Sequence, residues 1–513
     1  MSIAKPGSFK FAKSSPARTG PVHLASSGTG SSSVGSSDTA TVSLPISASD
    51  VLEARYSGKA ALRDEMLHGN PVLMRTLEAL GMVGPFTMTN PWEMTDPQGH
   101  STINAGGYAA IPFGDRYPPL AEFVSAYARD DRSLGLPQQS ASPWRAALET
   151  NLIALVSQFL PQHADSKVFF SNSGTEAIEA AIKFVKAARP KARHLINFYG
   201  AYHGKTFGAL ALTPNPEYQE MFKPMMPNIT TLPFGDSSAL ESAIRKLGAR
   251  NVAAVFLEPI QGEAGVIVPP SGFLREVNAI CKRHDILIVA DEIQTGLGRA
   301  GEWFSSAAGG LEPDIITLAK PLGGGMAAIG ATIAPPKIIA RTLGGFGKRH
   351  SNTFGGNSLS MAIGLKSLEI LVSENLPARS KRLGAVGLEA LRALQAKYPQ
   401  TLEAVRGSGL LMALQFRTVI PPKAIPGLGD LVSELSGGLG CRVLYTGGVT
   451  ANFSLSAKRV IRLTPALTMP DETFETMLGR VAATMERNPT ANHMLRHMPL
   501  DRLVRLSRVA FGL

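Results

Sequence analysis

The runs ILIVAD at 286–291 and IITLAK at 315–320 decide how this chain folds. Each is a stretch of apolar character, unbroken by charge, that ends on one ionisable side chain. Continuous rather than alternating apolarity marks a strand covered on both faces, as in parallel sheets whose crossover helices lie above and below. Outward from these two, KVFF (167–170), HLINF (194–198) and VAAVFL (252–257) repeat the pattern, with helix-length segments between them. The expected fold is therefore α/β, a mostly parallel central sheet with helices on both faces. On the amino-terminal side, Val51, Leu52, Leu73, Leu77 and Leu80 follow helical spacing until Gly81 and Pro85 stop it. Turn residues around Asp96 and Gly99 then predict a small antiparallel unit over 93–113. Beyond about residue 380, RGSGLLMALQF (406–416) and VIRLTPAL (460–467) read as strand-like pieces of a second domain.

Composition narrows the class. Of 513 residues 44% are hydrophobic and 18% charged, with 51 Gly and 36 Pro, which fits a globular enzyme and not a fibrous or disordered chain. Two cysteines, Cys281 and Cys441, exclude a disulfide framework and a Cys-rich metal site within one chain, and point to the reducing cytoplasm. No run of eighteen apolar residues occurs, so membrane insertion is not expected, and no metal cluster is visible. The net charge of +11 is concentrated at the ends, +3 in residues 1–45 and +4 in 487–513, which leaves +4 for everything between. Without a basic stripe and interleaved aromatics, nucleic acid is not an expected partner. The leader, with its tract SSGTGSSSVGSSDTATVS, has too little apolar content to order itself, and it lacks the amphipathic arginine face of a transit peptide.

In open parallel sheets ligands bind beyond the carboxyl ends of the strands. Three ionisable residues follow the apolar runs there: Glu258, Asp291 and Lys320. Any one alone would be read as a solvated strand end; three in one topological series point to a site. In FFSNSGTEAIEAAIKFVKAA (169–188) a strand gives way to Ser-Asn-Ser-Gly and then to an amphipathic helix. Ser173 and Glu176 have capping-box spacing, and the free N–H groups and dipole of such a helix start suit a phosphate. The segment FYGAYHGKT (198–206) places aromatics and glycines in a loop suited to stacking a ring. A lysine, a strand-end carboxylate, a phosphate-binding helix start and a stacking aromatic are the parts needed to hold pyridoxal 5′-phosphate.

Six ordered motifs carry a resemblance: SNSGTEAIEAAIKF, EPIQGEAGVIVPP (258–270), DEIQTGLGRAGEWF (291–304), PDIITLAKPLGGG (313–325), SNTFGGNSLS (351–360) and RGSGLLMA (406–413). Over roughly residues 85–485 the chain resembles the class III pyridoxal-phosphate-dependent aminotransferases of fold type I, the ornithine, acetylornithine and putrescine aminotransferase family. The resemblance implies a smaller α+β domain built from the N- and C-terminal parts. The expected organisation is a disordered leader at 1–45, an entrance-forming part of the small domain at 46–150, a large cofactor-binding domain at 151–375, the C-terminal small domain at 376–486 and a basic extension at 487–513. It further implies that Lys320 is the Schiff-base lysine and proton carrier and that Asp291 pairs with the pyridinium nitrogen. Gln294 would meet the phenolic oxygen, Tyr202 would stack on the ring, and Ser173, Gly174 and Thr175 would cradle the phosphate. His203, beside Tyr202, reads as a hydrogen-bonding member of the cofactor loop, not as a base. Thr353 resembles the threonine donated by a neighbouring subunit, which implies a homodimer with shared active sites. By family position Trp92, His350 and LPQQSASPW (136–144) would line the entrance.

For the substrates, Arg462 matches the arginine that grips a carboxylate and Glu263 the glutamate that neutralises it. A bidentate arginine suits 2-oxoglutarate as the keto-acid acceptor. Where ornithine aminotransferases carry a second arginine this chain has Lys205, which disfavours an α-amino acid donor. With FKPMMP (222–227) and PFG (233–235), that points to a terminal amine donor such as putrescine in a ping-pong transamination. The alternatives are an ornithine- or acetylornithine-type δ-transaminase, or an aminomutase or decarboxylase of the same fold. A non-enzymatic scaffold or carrier-protein partner is a further alternative. It rests on the extension, where Leu500, Leu503, Val504 and Phe511 share a helical face opposite Arg502 and Arg505; core or dimer packing of that face is the plainer expectation.

Overall fold

The structure, a computed structural model, describes residues 44–497 apart from 132–134, 137–139, 345–348 and 420–428, together with 499, 501, 502, 504 and 505, and leaves aside the side chains of 429–435. Nearly all of the leader read as disordered thus falls outside the described residues, as do Leu500, Leu503 and Phe511 of the extension. Residues up to Ser57 form one compact unit and Gly58–Leu513 another. In the first, the helix Ala48–Leu52 opens on a capping box: Ser47 Oγ accepts from Asp50 N at 3.2 Å and the Asp50 carboxylate accepts from Ser47 N at 2.9 Å.

The first helices of the second unit, Gly58–His68 and Pro71–Leu80, show that the amino-terminal helical spacing belongs to separate helices and not to one. Pro71 cannot donate to a continuing ladder, so it begins a new helix, capped by Asn70 Oδ1 accepting from Leu73 N at 3.1 Å. That helix stops at Gly81, as its sequence predicts, with φ 67°.

Among the described residues the strands form three sheets. β1 (Thr87–Asn90), β2 (Glu93–Thr95) and β3 (Ser101–Asn104) make the small antiparallel unit. The central sheet holds β4 (Lys167–Ser171), β5 (His194–Phe198), β6 (Ile229–Leu232), β7 (Val252–Leu257), β8 (Leu287–Asp291), β9 (Ile315–Leu318) and β10 (Gly330–Ala334), in the order β4-β10-β9-β8-β7-β5-β6. Only β10 runs against the rest, so the sheet is mostly parallel, as expected. Two strands of this sheet escaped the sequence reading. β6 reads ITTL, and β10 reads GATIA; neither carries the long aliphatic run of its neighbours, and tertiary placement makes them strands. The third sheet, β11 (Leu402–Ser408), β12 (Leu411–Phe416), β14 (Asn452–Phe453) and β15 (Val460–Leu463), belongs to the C-terminal part, while β13 (Val449–Thr450) crosses to pair with β3. One sheet thereby joins strands far apart in the chain.

Both faces of the central sheet are buried. Leu195, Leu287, Val289 and Ile315 face a cluster shared with Ile178, Ile182 and Val185 of the helix Gly174–Ala188. Their neighbours in the strands, Ile196, Ile288 and Ala290, face the opposite cluster, with Phe273, Val277 and Ile280 of the helix Phe273–Arg283 and with Leu240 and Ile244 of Ser237–Leu247. Each large apolar side chain so buried stabilises the fold by about 1.5–3 kcal/mol. This two-sided burial is why the strands read as unbroken apolar runs. No helix among the described residues is long and apolar enough to cross a membrane. Of the extension, Arg505 pairs with Glu78 at 3.3 Å, so that part of it lies against the helix Pro71–Leu80.

The segment RGSGLLMALQF is not one strand but the hairpin of β11 and β12. Gly409 turns it with φ 54°, and a Cβ there would stand 2.3 Å from Gly301 N and 2.4 Å from the Ala300 carbonyl carbon. Gly409→Ala should therefore lower unfolding stability by about 2–4 kcal/mol, read as a fall in the thermal midpoint; an unchanged midpoint would show that the hairpin is not seated on the loop after β8.

Candidate active site

A cavity of about 710 Å³ opens at the carboxyl ends of β7, β8 and β9 and at the start of the helix Gly174–Ala188. Its lining gathers Ser173, Gly174, Thr175, Tyr202, His203, Lys205, Glu258, Glu263, Asp291, Gln294 and Lys320. Of the sequence-derived site residues, Thr353 lies outside it and is exposed. Arg462 reaches it through Glu263 and Gln294.

The floor is built on strand ends. Asp291 closes β8, where register sets it opposite Thr317 of β9. Its Oδ1 accepts from Ile293 N at 3.1 Å, and its Oδ2 meets His203 Nδ1 at 2.8 Å. His203 is buried against Phe256. Burial alone would depress its pKa, but the hydrogen bond and charge of Asp291, with Glu258 beyond, outweigh that and leave it raised. The sequence reading had His203 as a loop hydrogen-bonder, and its partner is the buried Asp291. Eighty-eight positions separate the two, so no spacing rule could have joined them. Glu258 follows β7 and accepts from Tyr202 N and Gly262 N, both at 2.9 Å. Burial, then the charge of Asp291, pushes its pKa up.

Lys320 follows β9 by two residues and sits at φ 23°, a strained backbone position for a non-glycine residue. Burial depresses its pKa, and the neighbouring Glu263 works against that. With the Gln294 amide turned so that its oxygen faces donors, Oε1 accepts from Lys320 Nζ at 3.1 Å and from Arg462 Nη1 at 3.3 Å. Gln294 therefore ties the lysine to the arginine.

The far wall is an anion-friendly helix start. Ser173 caps it, Oγ accepting from Glu176 N at 3.3 Å. The reciprocal arm of the expected capping box falls one residue earlier: Glu176 accepts from Asn172 N at 2.7 Å and from Asn352 Nδ2 at 2.8 Å. Thr175 and Thr206 share a hydroxyl contact at 2.8 Å beside it. At the other side Arg462, on β15 and 1% exposed, donates from Nη1 to Glu263 Oε1 at 2.5 Å. Arg462 Nε and Nη2 and Glu263 Oε2 are buried without a partner among the described residues. The guanidinium also lies 5.3 Å from the ring centre of Tyr108, a residue the sequence reading did not single out. Lys205 is exposed, its Nζ 4.3 Å over the ring of Tyr218.

Three residues expected at the entrance are not among those that line the cavity. Trp92 packs on the main core and donates from Nε1 to Thr468 Oγ1 at 3.1 Å. His350 stacks at 4.6 Å on Phe169, and Trp144 lies edge-on to Phe123 and Tyr127. Residues 137–139 of LPQQSASPW lie outside the described residues.

Comparison with known proteins places this geometry. The sequence pattern described as Aminotransferase class-III matches residues 87–485. A putrescine aminotransferase of Pectobacterium atrosepticum is 39% identical over 335 residues, 64% of this chain and 70% of that protein. Among solved structures, the ornithine aminotransferase of Toxoplasma gondii superposes with a TM-score of 0.73 at 23% identity, covering 86% of this chain and 98% of its own. An amine transaminase from an uncultivated Pseudomonas species, solved with PLP bound, gives 0.69 at 26% identity over 78% and 94%.

The electrostatics yield a direct test. In the cofactor-free protein Lys320 should lose its proton at lower pH than an exposed lysine, because burial disfavours its charged form. Asp291→Asn, by removing an anion that favours the charge, should lower that pH further. The pH dependence of reductive methylation at Lys320, resolved by peptide mass spectrometry, measures both; a profile matching surface lysines would contradict the environment described.

Proposed function

The chain belongs to the class-III aminotransferases, and on that footing we propose that it moves an amino group from a terminal amine, such as the diamine putrescine, to 2-oxoglutarate or a similar keto acid. Aminotransferases of this class depend on pyridoxal 5′-phosphate. The donor set fits that group: the helix start at Gly174 and Thr175 offers unpaired N–H groups to a phosphate, Asp291 offers a carboxylate backed by His203, and Lys320 offers an amine whose charge is already disfavoured. When bound, pyridoxal 5′-phosphate supplies an electrophilic aldehyde and a ring that accepts electrons.

In this reading the residues divide the work. Ser173, Gly174 and Thr175 anchor the anionic end. Asp291 holds a proton at the ring nitrogen, and the buried His203 keeps that carboxylate aimed. Gln294 and Tyr202, which line the same cavity as Lys320, would hold the ring. Lys320 Nζ takes the proton from the amine-bearing carbon of the donor, and returns one to the carbon that becomes the amino acid's.

The observation that carries the donor assignment is the Glu263–Arg462 pair at 2.5 Å. With Glu263 closed on it, the arginine presents no bare charge, so a donor without a carboxylate fits. A keto acid's carboxylate displaces Glu263 and takes the unpartnered Nη2 and Nε in a two-point contact. Lys205, already laid over Tyr218, is a point charge and not a planar fork, which weakens the case for gripping an ornithine carboxylate. The putrescine aminotransferase relative points the same way.

We also propose a homodimer. Thr353 is exposed and away from its own cavity, with Phe354 59% and Leu359 44% exposed beside it, as suits a segment that completes a second copy's anionic end.

An amine panel on the holoenzyme, followed by the absorption of the bound cofactor, should show rapid conversion by putrescine and slower conversion by ornithine and acetylornithine. Conversion by ornithine alone would replace the donor assignment with the δ-transaminase one. Lys320→Ala should retain the thermal midpoint within a few degrees and lose amino-group exchange by about 10³-fold or more.

A further inference from the structure

Arg406 does not line the cavity; it borders a separate cleft of about 390 Å³, yet it is tied to the turn that carries Glu263. In the C-terminal sheet Arg406 of β11 pairs in register with Ala413 of β12, and Ala413 with Arg462 of β15. The two arginines therefore stand on one face of the sheet, two strands or roughly 10 Å apart. The turn Gly262–Val266 lies against both. Arg462 holds it by the Glu263 carboxylate, and Arg406 Nε donates to the Gly265 carbonyl at 3.0 Å. Gln415 Oε1, accepting from Arg406 Nη1 at 2.8 Å, fixes the guanidinium in place.

The turn needs such support. Gly265 has φ 101° and Val266, fully buried, has φ 57°, a region β-branched residues avoid. On the other side Glu258 accepts from Gly262 N. Glu263 thus sits between a front anchor at Gly262 and a rear anchor at Gly265.

We propose that Arg406 is a positioning residue that holds Glu263 closed on Arg462, and so decides how the site alternates between a donor without a carboxylate and a dicarboxylate acceptor. The proposal rests on the gate role given to that pair above. Without the rear anchor Glu263 drifts, leaving Arg462 bare. The amine donor then meets an uncompensated cation, whereas the keto acid no longer has a carboxylate to displace. The two half-reactions are pushed in opposite directions, which a general loss of structure would not do.

Single-turnover kinetics on the holoenzyme separate the half-reactions, and calorimetry with glutarate, a dicarboxylate with no carbonyl to react, reads the acceptor side without catalysis. Arg406→Met should reduce the specificity constant of the amine half-reaction about tenfold while glutarate binds at least as tightly as before. Arg406→Lys, which restores one donor, should recover most of the loss. Gln415→Leu, which only loosens the guanidinium, should shift both readings the same way by a smaller factor. Glu263→Gln combined with Arg406→Met should cost little more than either alone. An equal fall in both half-reactions, no change in either, or weakened glutarate binding in these variants would overturn the proposal. Arg462→Lys separates it from the gate reading. If that variant leaves glutarate affinity unchanged, the gate itself is wrong; if affinity falls about tenfold and Arg406→Met gives no split, only the role of Arg406 falls.

Discussion

A charge taken out of water must be given a partner, and this cavity is lined by five ionisable groups, Lys320, Asp291, His203, Glu258 and Glu263, with Arg462 buried behind Glu263. Their partners come largely from other segments. Asp291 at the end of β8 is met by His203 from the loop after β5, across the intervening β7. Glu258 is met by two backbone N–H groups and Glu263 by an arginine from another sheet. Breaking one partner of such a pair leaves the other stranded, at a cost of about 3–5 kcal/mol. The strand order of the central sheet and the docking of the C-terminal sheet are the means by which these pairs are made.

The two sheets contribute differently. The central sheet supplies Glu258, Asp291 and Lys320 from its strand ends, where parallel strands point the same way and their carboxyl termini converge. The C-terminal sheet supplies Arg462. Glu263 spans the gap between the two sheets. The lysine and the arginine are thus carried on separate sheets, and the short turn between them has a strained backbone and is held by contacts from both sides.

Much of this was legible in the residues. The unbroken runs around 252–257, 286–290 and 315–319 read as doubly covered strands, and burial on both faces is why. The ionisable residues after them, Glu258, Asp291 and Lys320, read as site candidates because strand ends in such sheets face a crevice. Some features were not legible. β10 is a run of small residues whose strand state comes from its neighbours β4 and β9. The hairpin at Gly409 was not legible because its turn is short and the apolar run lies on one side of it only. Trp92 and Trp144 looked like entrance residues by position, but each found an apolar packing site first.

The sequence by itself determined the strand and helix periods, the helix start at Ser173, and the identity of the lysine and carboxylate that face the crevice, because local pattern and motif order carry that information. Only the tertiary structure decided who partners whom: His203 with Asp291, Gln294 between Lys320 and Arg462, Tyr108 over the arginine, and Arg406 behind Glu263. The reason is physical. A buried charge selects its partner by distance in space, and residues tens or hundreds of positions apart come within reach only when the sheet order has been set.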